Sequence, residues 1–236
     1  MNDSSGVGGG VGDSVGIDVV RHPTARRVRL SLDPVSGRAR LTVPRRAGLK
    51  AALAWAETKR DWLAEQREGL ILRRPFAAGT MLCVADRTLS IDWAPGTRRR
   101  VEIVGDALSL SGPEATVSRR VEAWLKREAL ALLTEDTRDY AALAGVAVAR
   151  VGIGDARGRW GSCAASGAIR YSWRLILAPG WVRRATVAHE VAHRVHMNHG
   201  PAFHALVADL YGSDPTPARA WLRRNGTDLH GYGRDP

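Results

Sequence analysis

Cysteine is scarce in this 236-residue chain, which has only Cys83 and Cys163. Neither stands in a paired knuckle spacing, so a disulfide scaffold and a thiolate zinc finger are both excluded. Long apolar runs are missing as well. No stretch approaches the roughly 18 to 20 uninterrupted apolar residues of a membrane span, and the N-terminus lacks the basic start and apolar stretch of a secretory signal. The reading is therefore a cytoplasmic protein with no membrane partner. Nor is there a phosphate-cradling loop: the early glycines show neither a G-x-G-x-x-G register nor a lysine-serine ending, and no strand precedes them.

Lysine is nearly absent, occurring only at Lys50, Lys59 and Lys126, so arginine supplies most of the 35 basic residues that face 24 acidic ones, formally +11. Arginine suits bidentate phosphate contacts and a positive field attracts polyanions, which makes weak nucleic-acid association through arginines one reading. Heavy arginine, alanine and glycine usage spread over solvated faces is the other.

What is present is a core: 44% of the residues are hydrophobic, ample for a globular fold. Residues 1–16 are Gly/Ser-rich with almost no large side chains and read as a disordered tail. Residues 26–43 alternate with period two around a PVSG turn, predicting a hairpin. From Leu49 to about Arg67 the period becomes helical, with Leu49, Leu53, Ala56 and Leu63 joined by Trp55 and Trp62 as expected core. Short strands follow over 80–110. A long helix opened by Gly112-Pro113-Glu114 then carries a Val121, Leu125, Leu132 and Leu133 stripe, and strands are predicted near 147–153 and 168–175. The fold class is α+β. The expected division is an N-terminal β-rich module over 17–112 and an α+β module over 113–236, with 17–236 as one compact unit the alternative.

The chemistry concentrates in Val182 to Phe203, VRRATVAHEVAHRVHMNHGPAF. On a helix His189 and His193 share a face and can present imidazole nitrogens to one zinc ion, while Glu190 can reach a metal-bound water as general base. Ala188, Val191, Ala192 and Val195 form an apolar stripe beside them, as a half-buried helix requires. A catalytic zinc needs a third protein ligand and one open position. His196 would lie about 10 Å along a straight helix from His189, too far for the same ion. His199 precedes Gly200-Pro201, a stop and turn signal, so the chain can reverse and return it to the metal. His204 is expected beside the site or in a structural role.

Several segments together resemble the YgjP-like metallopeptidase-domain family, related to the SprT-like and WLM zinc peptidases. They are Arg159-Trp160-Gly161-Ser162-Cys163, then Tyr171-Ser172-Trp173-Arg174-Leu175-Ile176 with Pro179, then HEVAH with Asn198-His199 and Phe203. Ser172, Gly200 and His204 depart from that pattern, which usually has asparagine, serine and tryptophan there. None of these changes removes a proposed ligand or the base.

The resemblance implies a zincin-like α+β module and a zinc-dependent hydrolase, with zinc on His189, His193 and His199 and Glu190 activating the zinc-bound water. Its substrate would be a peptide or protein. A nucleoside triphosphate (UTP) pyrophosphatase on the same fold is the alternative, with phosphate recognition resting on arginines such as Arg183 and Arg184. A nucleic-acid-associated module with structural zinc is a third reading. Arg159 either stabilises developing negative charge on the substrate or serves the fold. Trp160 and Trp173 are expected in the core, and Cys163 as a small buried thiol.

Overall fold

The computed structural model describes residues 17–33, 37–68, 74–96 and 100–233. The tail expected over 1–16 and most of the PVSG turn lie outside the described residues. The fold is mixed α+β, and the chain divides into two compact units at Ile71 and Leu72.

In the first unit, β2 (Arg29–Leu32) and β3 (Ala39–Pro44) form the hairpin foreseen from the alternation, and β1 (Ile17–His22) pairs parallel to β3 on its other side. Leu41 and Val43 on the inner face of β3 pack with Ala52 and Ala56 of α1 (Leu49–Glu57). The expected single helix is two, because the chain turns at Thr58, whose hydroxyl donates to Trp55 O at 2.7 Å, before α2 (Arg60–Glu68) begins. On α1, alanines rather than Leu49 and Leu53 face the sheet, whereas Leu63 of α2 is buried as expected. Trp55 and Trp62 are not core but stay 39% and 38% exposed, lining a surface pocket with Leu30 and Lys59.

The second unit holds β4 (Met81–Val84), β5 (Arg87–Ala94), β6 (Glu102–Val104) and β7 (Ala107–Ser111) in the sheet order β4-β5-β7-β6. The 27-residue α3 (Val117–Leu143) follows. Next come β8 (Arg150–Gly154), β9 (Gly161–Cys163) and β10 (Ala168–Ser172), with β10 in the middle, parallel to β8 and antiparallel to β9. Three helices end the chain: α4 (Gly180–Ala192), α5 (Pro201–Tyr211) and α6 (Thr216–Leu229). No break falls near Gly112. Leu89, Ile91, Leu108 and Leu110 of the four-stranded sheet share one core with Val121, Leu125 and Leu133 of α3 and with Trp173, Leu175 and Val187. Burying each such side chain contributes about 1.5–3 kcal/mol.

Two features fix α4, the helix of the HEVAH segment. The tight β4–β5 turn places Ala85 and Asp86 at φ 49° and 67°, as a two-residue hairpin turn demands. Asp86 Oδ1 then accepts the Gly180 N–H at 2.7 Å, satisfying one of the open donors at the helix start and opposing its dipole. Farther along, Arg183 is buried and its Nε donates to Asp136 Oδ2 of α3 at 2.7 Å. No described helix is long and apolar enough to cross a membrane.

Candidate metal centre

His189 and Glu190 lie in the last turn of α4, and His193 caps it. Ala188, Val191 and Ala192 are buried as the stripe requires, whereas Val195 is exposed because the helix has already ended. The turn foreseen at Asn198–Gly200 brings His199 back, so that its Nε2 lies 3.3 Å from His189 Nε2. One nitrogen from each of His189, His193 and His199 falls within 4.8 Å of the others. Tetrahedral zinc with Zn–N bonds near 2.0–2.1 Å sets ligand nitrogens roughly 3.3 Å apart, so the three-imidazole donor set suits that ion and the His189–His199 distance matches it.

The surroundings aim these rings. His193 Nδ1–H donates to the His196 carbonyl at 3.1 Å, which leaves Nε2 to face the cluster. His196 thus serves through its backbone, and its ring is not in the cluster. Phe203 on α5 is fully buried, its ring centroid 4.5–4.9 Å from those of all three histidines. It forms an apolar floor under the cluster. His204 follows it, 6.3 Å from His199 by ring centroids and on the cleft wall.

Burial, reinforced by the charges of His193 and His199, pushes His189 down to about 4, and burial also lowers His193. Both directions favour the neutral imidazole that a metal requires. Glu190 is buried and pushed up to about 7 by desolvation, with the positive charge of Arg159 opposing the shift.

A cleft of about 280 Å³ opens over His189 and Glu190. Arg159 is exposed at its edge and Trp160 is half-buried in its wall, stacked on His230 with centroids 5.2 Å apart. Trp160 is thus cleft lining rather than full core, while Trp173 is wholly buried. Cys163 stays outside the histidine cluster, partly buried, with its thiol raised chiefly by burial. The suggested phosphate contact at Arg183 is corrected: that guanidinium is inside the protein, engaged with Asp136.

Two features went unforeseen. Arg174, 2% exposed, pairs with Asp155 through Nε at 2.7 Å and Nη2 at 3.2 Å, and donates from Nη1 to the carbonyls of Leu229 and Tyr232, both at 2.8 Å. A single arginine inside the apolar run Trp173–Ala178 is the signal that could have revealed it, since buried charges are almost always paired. The other is Arg219 on α6, which joins the cleft lining and for which no sequence motif speaks.

Three convergent imidazoles beside a buried carboxylate, open to a cleft, make a site suited to a hydrolytic metal centre. Residues 26–225 match the family described as YgjP-like, metallopeptidase domain, and the chain belongs to that family. Membership implies a hydrolase with a metal cofactor and a peptide or protein substrate. No curated protein and no solved structure matches the chain.

Proposed function

We propose that this protein is a zinc-dependent metallopeptidase with a zincin-like catalytic unit, in which His189, His193 and His199 hold the metal and Glu190 is the general base. The observation that carries the reading is the convergence of the three imidazoles with Glu190 buried next to His189. When bound, zinc supplies Lewis-acid chemistry, making a water more acidic and polarising the scissile carbonyl.

The chain's own groups do the rest. Glu190 takes a proton from the attacking water as the new C–O bond forms at the peptide carbonyl. It then returns that proton to the nitrogen as the C–N bond breaks, releasing a carboxylate and an amine. The His196 carbonyl keeps the His193 ring in one tautomer. Phe203 packs against all three rings and resists their reorientation. Arg159, on the cleft edge within electrostatic reach of Glu190, stabilises negative charge on the substrate oxygen.

The test is metal analysis of the purified protein together with peptide hydrolysis by the parent and by Glu190→Gln. About one zinc per chain in both proteins, with turnover lower by two to four orders of magnitude in the variant, is the expected result. Equal turnover would assign the hydrolysis to another site.

A further inference from the structure

The cleft over the metal centre combines two unlike linings. Trp160, Val207, Ala218 and Leu222 give it an apolar wall, and Arg159 and Arg219 bring two positive charges. Glu190 is the only carboxylate among the residues that line it. The arginines that face the interior are committed, Arg174 to Asp155 and Arg183 to Asp136. The two on the cleft form no ion pair among the described residues, although the charge of Arg159 reaches Glu190 and that of Arg219 reaches Asp214. Arg219 is held on α6 by a single hydrogen bond from Nη2 to Thr216 Oγ1, at 3.3 Å, and its charge bears on His189. Like charges beside low-dielectric walls focus the field inside a cleft and favour an anionic group there.

We infer that this cleft selects peptides carrying an acidic residue and an apolar residue beside the scissile bond, and that Arg219 is the specificity-determining residue. The inference rests on the peptidase reading above. A peptide carboxylate suits the site better than a nucleoside triphosphate, which needs several convergent donors. The first N–H of α4 is already taken by Asp86, and Arg183 is already taken by Asp136. An apolar wall next to two guanidiniums instead matches a leucine-like side chain followed or preceded by glutamate.

The test uses zinc-loaded Glu190→Gln protein, so that binding is read without turnover. Fluorescein-labelled octapeptide pools of alanine and leucine, differing only in whether the variable positions hold Glu, Gln or Lys, are titrated by fluorescence polarisation. The Glu pool should bind about tenfold more tightly than the Lys pool at low salt, as a charge-assisted contact provides. The gap should narrow at 500 mM salt, close to within about twofold in Arg219→Ala, and persist in Arg224→Ala, an exposed position on the same helix outside the cleft lining. Equal binding of the pools, a preference that survives Arg219→Ala, or displacement of the pools by UTP would overturn the inference. Cleavage of the same pools by the parent is read separately. Turnover that is absent, or insensitive to Glu190→Gln, would count against the peptidase reading while the binding preference stood.

Discussion

Gly161 sits so close to Glu190 that a Cβ added to it would lie 2.6 Å from Glu190 Cγ, nearer than side chains approach. The middle residue of Arg159–Cys163 is therefore a matter of space: β9 can lie against α4 only if nothing projects there. Gly161→Ala should push the Glu190 carboxylate aside and lower peptide turnover about a hundredfold, since small misplacements of a reacting group are costly. Overpacking should also lower stability by about 1–3 kcal/mol. Metal content should match the parent, because no histidine is moved. Metal analysis, a thermal melt and a turnover assay check all three, and unchanged turnover would show that the close approach of Gly161 does not hold Glu190 in place.

His199 and His196 should separate cleanly. His199→Ala removes one of three converging nitrogens and should leave little metal after dialysis. His196→Ala should retain it, because the His196 group that orients His193 is a backbone carbonyl and survives the substitution. Zinc stoichiometry after equal dialysis distinguishes the two, and loss in both would mean that the His196 ring enters the site.

The metal-free protein should carry two opposed pH dependences. His189 has a folded value near 4, below its ordinary 6.5, so its contribution is fully present above pH 6.5 and is lost as pH falls through 4. Glu190 has a folded value near 7, above its ordinary 4.5, so its contribution is present below pH 4.5 and is lost as pH rises through 7. Between these limits the slopes offset one another. Glu190→Gln removes only the second, so the metal-free variant should be more stable than the parent at pH 8, by about 1–3 kcal/mol, and equal to it near pH 4. Denaturant melts of both proteins at the two pH values check this, and an equal difference at both would refute a buried, ionisable Glu190.

Arg174→Ala should destabilise the second unit by about 1–3 kcal/mol, because it removes the fork on Asp155 and takes the Nη1 donor from the carbonyls of Leu229 and Tyr232. Arg174→Lys should recover only part of that loss, since an ammonium cannot reproduce the fork on Asp155 while also reaching Leu229 and Tyr232. Thermal melts of the three proteins give the order. Parity between lysine and arginine would show that charge alone matters there.

The sequence by itself determined the local pieces. Alternation over 26–43 gave the β2–β3 hairpin, the i, i+4 spacing put His189 and His193 on one helix face, and Gly200-Pro201 told where the chain must turn before His199. These signals are legible because each depends on neighbours within a few residues, where backbone geometry and side-chain period are enough.

Tertiary structure decided the rest. That Trp55 stays on the surface depends on α1 meeting β3 through alanines, and that no break follows Gly112 depends on the four-stranded sheet sharing its core with α3. The same holds for Asp86 capping α4 from 94 residues away, for Arg183 turning inward to Asp136, and for Arg219 arriving at the cleft on α6. Each joins residues far apart in the chain, and a guanidinium reads the same in sequence whether it ends against a buried carboxylate or at the edge of an open cleft. What separates the two outcomes is burial: a charge withdrawn from water must find its partner inside, and only the packed chain determines which carboxylate is within reach.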